Sequence, residues 1–129
     1  MNKIIVEVSV GELLDKISIL EIKQEKIKDP NKLKFIDSEY SILKEQLKNN
    51  IESSDKLNEL YKSLKEINSK LWVIEDDKRL CEKEKKFDEK FIRLSRDVHF
   101  LNDERAKIKL DINNLMNSNI KEIKEYTDY

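Results

Sequence analysis

Glycine and proline occur once each, as Gly11 and Pro30. So few turn formers argue against a turn-rich β architecture and against a glycine-rich phosphate loop. Cysteine also occurs once, as Cys81, which excludes an internal disulfide and suits a reducing compartment. His99 is the only histidine, so there is no histidine–cysteine cluster to bind zinc. Long apolar runs are missing too. Ile4-Ile5-Val6 is cut short by Glu7, too early for a membrane span or the core of a signal peptide. The expectation is a cytoplasmic protein with no membrane association, metal or cofactor.

An excess of either charge is likewise absent. Charged residues make up 41% of the chain, yet the formal net charge is −1. Balanced charge on helical periodicity reads as solvated faces laced with ion pairs, and it argues against nucleic acid as a partner. Lysine dominates the basic residues. All four arginines, Arg79, Arg93, Arg96 and Arg105, fall within one stretch of 27 residues. Where lysine is the default, arginine marks places that need a planar fork or a weakly hydrated cation.

At 129 residues the chain fits one domain. Residues 3–10 alternate, with Ile4, Val6, Val8 and Val10 on one side, the pattern of a short half-buried strand. No second strand is evident to satisfy its backbone. It either lies as an arm over helices or pairs with the same strand of a second copy, which would give a two-fold dimer.

The remainder is helical in period, with helices expected at 10–28, 31–48, 55–84 and 88–116 and a tail at 117–129. Ser9-Val10-Gly11-Glu12 has the form of a capping box. Asp29-Pro30 stops one helix and caps the next. Leu33, Ile36, Tyr40, Leu43 and Leu47 form the second apolar row. The third is the cleanest: Leu57, Leu60, Leu64, Ile67, Leu71 and Ile74. Such rows with short connections describe an all-α antiparallel bundle with a long, coiled-coil-like hairpin.

The row of the last helix, Phe91, Leu94, Val98, Leu101, Ile108, Ile112 and Leu115, is interrupted at Arg105. That permanent cation therefore faces inward, and leaving it buried and unpaired costs roughly 3–5 kcal/mol. An acid from the first helix is the natural partner, and Glu21 is the expected one. Folding the hairpin about residues 85–87 brings Glu75 and Arg79 level with Arg96 and His99, and Trp72 near Asn102 and Arg105. Two readings follow. These groups are ion pairs that fix helix register, or they form a small-anion pocket with Arg96 and Arg105 as forks and Trp72 or His99 as a wall. A lone histidine is more often a surface or hydrogen-bonded residue than a catalyst.

The chain resembles a family of small bacterial proteins without assigned function. The resemblance is carried by Val8-Ser9-Val10-Gly11-Glu12-Leu13-Leu14-Asp15-Lys16-Ile17, Leu20-Glu21-Ile22-Lys23 and Leu71-Trp72-Val73-Ile74-Glu75-Asp76-Asp77. It continues in Phe91-Ile92-x-Leu94, Asn102-Asp103-x-Arg105-Ala106 and Ile112-Asn113, while His99 stands where tyrosine is expected. It implies that Glu21, Trp72, Glu75, Asn102 and Arg105 belong to one shared feature, and it suggests a link to cell-surface polysaccharide assembly. The expected function is a non-enzymatic, homodimeric interaction module, holding a protein partner or a small anionic ligand. The alternative is a small all-α enzyme. It would have an arginine-lined, mutase-like pocket, or be a Mg²⁺-dependent nucleotide pyrophosphohydrolase using turns such as Glu12-x-x-Asp15.

Overall fold

The computed structural model describes residues 2–129. Its regular structure is four helices: α1 (Val10–Lys26), α2 (Pro30–Asn50), α3 (Asp55–Glu84) and α4 (Glu89–Leu115). The chain is all-α. Each helix begins where a short polar side chain takes up a free first-turn amide. Ser9 accepts from the Glu12 amide at 3.0 Å, Asp29 from Asn31 at 2.9 Å, Ser54 from Leu57 at 3.2 Å and Asp88 from Phe91 at 3.5 Å. Only half of the expected capping box forms at α1, because the Glu12 carboxylate binds Lys109 Nζ at 2.7 Å.

The expected N-terminal strand is not seen. Residues 2–9 carry no regular structure, and Ile4, Ile5 and Val6 are 91%, 88% and 70% exposed. The physical reason is the one visible in the sequence: no second strand exists among the described residues to share backbone hydrogen bonds.

α1 is the centre of the molecule and packs against all three other helices, whereas the backbone of α2 approaches α1 alone. Leu13, Leu14, Ile17, Leu20 and Ile22 of α1 are buried. In α2 no residue is fully buried, and only its apolar row Leu33, Ile36, Tyr40, Leu43 and Leu47 is half-covered. α3 and α4 run in opposite directions from the turn at 85–88, with Lys78 over the Phe91 ring at 6.0 Å. Lys85 makes that turn with φ 56°, and the Lys86 amide donates back to the Cys81 carbonyl at 2.9 Å. Leu14, Leu57, Leu64 and Ile112 form the core at the end of the bundle where α1 and α3 begin. Toward the turn, α3 beyond Leu71 buries only Cys81, and α4 before Arg105 only Leu94. Val73, Leu80, Ile92 and Phe100 lie exposed there.

Gly11 sets the distance between α1 and α4. Its amide donates to Asn113 Oδ1 at 2.7 Å, and a Cβ at this position would stand 2.6 Å from the Lys109 carbonyl oxygen. The tail after α4 is docked on that helix, not helical itself. Lys121 reaches Asn114, Glu122 reaches Lys109, and Tyr129 hydrogen-bonds Asp103 and stacks edge-on against Phe100. No helix among the described residues is long and apolar enough to cross a membrane.

Candidate functional site

Arg105 does face inward and an acid of α1 does meet it, but the acid is Asp15, not Glu21. Arg105 Nε donates to Asp15 Oδ1 at 2.9 Å while Nη2 donates to Oδ2, a two-point fork on a carboxylate only 2% exposed. Asn68 of α3 completes the centre, donating to Asp15 Oδ1 at 2.9 Å and to Ser18 Oγ at 2.8 Å. The Ser18 hydroxyl in turn donates to the Asp15 backbone carbonyl at 2.7 Å. One buried carboxylate thus joins α1, α3 and α4.

One turn away, Lys109 is buried between Glu12 at 2.7 Å and Glu122 of the tail at 3.0 Å, and stands 4.0 Å from Asp15. Two cations and three carboxylates compensate one another here. No buried side-chain nitrogen or oxygen among the described residues lacks a hydrogen-bond partner. Burial by itself would raise the Asp15 pKa, but hydrogen bonds from Arg105 and Asn68 and the charges of Arg105 and Lys109 outweigh it and hold the carboxyl below its ordinary range. Burial likewise opposes the Lys109 charge, and its bonds to Glu12 and Glu122 raise its pKa above the ordinary value in spite of that. A carboxylate so committed is a poor general base, because its lone pairs are occupied and its proton affinity is low.

Glu21 performs a separate task. It accepts hydrogen bonds from Tyr40 of α2, at 2.9 Å, and from Tyr61 of α3, with Lys65 3.7 Å away. Burial, followed by the bond to Glu21 and its charge, pushes Tyr40 up to about 12 and Tyr61 higher still. This carboxylate fastens α2 onto the rest of the bundle.

Of the remaining sequence candidates, Trp72, Glu75 and Arg79 come together with Arg105 around a cleft of about 320 Å³ between α1 and α3, floored by Ile19, Ile22 and Leu71. Trp72 is half-buried, and Glu75 and Arg79 are exposed. Arg96, His99 and Asn102 lie on exposed positions of α4 and do not border the cleft. The hairpin sets Arg96 and His99 level with Glu75 and Arg79, and Asn102 near Trp72, but a shared level does not bring these three side chains to the cleft. The feature expected to unite Glu21, Trp72, Glu75, Asn102 and Arg105 therefore divides. Trp72, Glu75 and Arg105 meet at the cleft, Glu21 belongs to the tyrosine pair, and Asn102 belongs to neither. Among the described residues no group of three or more His, Cys, Asp or Glu side chains is placed to hold a metal ion.

Gly11, Asp15 and Asn113 enter the sequence reading only within motifs, and none of Gly11, Asp15, Ser18, Lys109 and Asn113 is assigned there to this centre. A signal was there. Gly11, Asp15 and Ser18 recur at steps of four and three, so they share one side of α1. In a chain this rich in lysine and glutamate, a row of short side chains marks a face that another helix approaches closely.

The model of a family of unknown function, DUF6165, matches residues 4–128. No curated protein and no solved structure matches the chain.

Proposed function

The chain belongs to this family of unknown function, and from its own geometry we propose that it is a non-enzymatic interaction module that acts as a homodimer. The Asp15–Arg105 centre fastens the helices and the working surface lies outside it. The observation that carries this reading is the N-terminal arm, where Ile4, Ile5 and Val6 stand 70–91% exposed in a chain that is otherwise 41% charged. Burying each such side chain is worth about 1.5–3 kcal/mol. Ile4 and Val6, which share one edge of an extended arm, give roughly 6–12 kcal/mol from two copies, of the size of an association cost of about 4–15 kcal/mol. The hairpin of α3 and α4 is read as coiled-coil-like, and the buried, unpaired thiol of Cys81 suits the cytoplasm. Sedimentation equilibrium of the full chain at micromolar concentration tests the reading. Twice the 15.4 kDa chain mass is expected, and a monomer up to about 100 μM would overturn it.

One observation favours a second reading, the small-anion pocket. Arg79 borders the Trp72 cleft beside Arg105 and makes no ion pair among the described residues. Glu75 and Asp76 line the same cleft, so any ligand there has to be tolerated by carboxylates as well. A rise in melting temperature with small dicarboxylates, lost in Arg79→Ala, supports the pocket. A rise with Mg²⁺ plus a nucleotide supports the pyrophosphohydrolase alternative instead, and no shift with either leaves the interaction module.

A further inference from the structure

We propose that in the homodimer each N-terminal arm lies in an apolar groove of the other copy, between α1, the C-terminal end of α2 and the N-terminal end of α3. The inference rests on the homodimer reading and adds to it the surface that the arm takes. The groove has a volume of about 820 Å³. Its floor is Leu14, Ile17 and Leu57, each under 5% exposed, and Leu47 and Ile51 form its walls. The lip carries Lys44, Glu45 and Lys48, none of which makes an ion pair among the described residues.

The arm supplies what this groove lacks. Ile4, Val6 and Val8 alternate along it, so an extended arm presents one apolar edge. Lys3 and Glu7 flank that edge with opposite charges, matching Glu45 and the two lysines of the lip. Residues 2–8 reach roughly 20 Å when extended, enough to cross two helices about 10 Å in diameter.

Geometry explains why the partner's groove is taken and not the chain's own. The arm leaves α1 on the side of the tail, where Glu7 accepts from Asn119 at 2.8 Å and the Val10 amide donates to Ser118 Oγ at 3.2 Å. The groove opens beside α2, yet Val10, Ile51 and Met116 pack on the same core cluster, so arm and groove share one end of the bundle. A two-fold axis at that end carries each arm across to the other copy's groove and closes the assembly.

Disulfide trapping tests this in a Cys81→Ala background. Val6→Cys and Asn58→Cys are introduced into separate chains, mixed and oxidised. A covalent dimer with a 6–58 linkage is expected in the mixture and in neither variant alone. Efficient self-linkage of Val6→Cys would mean that the arms pair with each other, and would overturn the proposal. So would a 6–58 bond formed within a single chain carrying both cysteines. Leu47→Glu places a charge on the groove wall and is expected to weaken the dimer at least ten-fold while far-ultraviolet circular dichroism stays helical. A dimer unaffected by Leu47→Glu, with no 6–58 trapping, overturns the groove but keeps the homodimer; a monomeric parent chain overturns both. Deleting residues 2–8 is expected to open the groove to anilinonaphthalene sulfonate. Equal dye binding by the full chain would show the groove already empty or held by a small amphiphile, against the proposal.

Discussion

Asp15 and Arg105, 90 residues apart in sequence, meet by a two-point fork on a carboxylate that is 2% exposed, while the guanidinium side chain remains 30% exposed. That asymmetry decides which partner is costlier to remove. Arg105→Ala leaves a buried carboxylate with the neutral Asn68 amide as its side-chain hydrogen-bond donor and its nearest cation, Lys109, 4.0 Å away, and should cost about 5 kcal/mol, the upper end for a broken buried pair. Asp15→Ala leaves a guanidinium that can still reach water, and should cost about 3 kcal/mol. The double variant should be less destabilised than the sum of the two, by about 1–3 kcal/mol. Urea denaturation of the four proteins closes the cycle. Alanine at Arg96, His99 or Asn102, all exposed, should stay within about 0.5 kcal/mol of the parent.

The same pair shows what can be read from a sequence and what cannot. The helical repeat turns Arg105 inward, and the lack of an acid level with it on α3 points to α1. Choosing between Asp15 and Glu21 required the register of α1 against α4. That register is set by Gly11 on Lys109 and Asn113, and the row Gly11, Asp15 and Ser18 marks the face of α1 that is approached without fixing which residues of α4 lie opposite it. Helix starts were legible for a different reason. Ser9, Asp29, Ser54 and Asp88 act on amides two or three residues away, so their chemistry is local. The apolar alternation of the arm suggested a strand, but a strand needs a partner, and alternation cannot supply one.

Gly11→Ala tests that contact directly. On helix propensity alone the change should gain about 1 kcal/mol. The added Cβ, however, would stand 2.6 Å from the Lys109 carbonyl oxygen and 2.9 Å from Asn113 Oδ1. The first of these is backbone of a packed helix and cannot swing aside. Overpacking should win, with a net destabilisation of about 1–3 kcal/mol and a lower melting temperature.

Acid stability should follow Asp15. Its folded pKa lies below the ordinary 3.8, so its contribution is fully present above that value and is lost as pH falls through the folded pKa. The stability gap between the parent and Asp15→Asn should therefore hold constant from neutral pH to about pH 5, and narrow below about pH 4. Glu122, lowered chiefly by its hydrogen bond to Lys109, adds to the same acid loss. Denaturation curves between pH 2 and 7 measure the gap; one that widened on acidification would contradict the assigned sign.

At the alkaline end the sign reverses. Tyr40 is raised to about 12 from 10.0, and Tyr61 further. Both therefore stabilise the fold fully below pH 10, and that stability drains away as pH climbs from 10 through their folded values. The double variant Tyr40→Phe, Tyr61→Phe should lose this component and show a flatter decline between pH 10 and 12 than the parent. Lysine deprotonation is common to both chains and cancels in the comparison.

α2 should be the first helix to open. It buries no residue completely, its backbone approaches only α1, and the Tyr40–Glu21 hydrogen bond is one of its few polar ties to the bundle. α1, with eight buried residues, is held from three sides. Local opening free energy follows such differences, so amides in the middle of α2 should exchange with deuterium roughly ten-fold or more faster than those of α1. Glu21→Ala should widen that ratio by accelerating α2 while leaving the α3–α4 hairpin near its parent rate. Uniform exchange across all four helices would mean that the fold opens as a single unit and that α2 is held by more than its half-covered row.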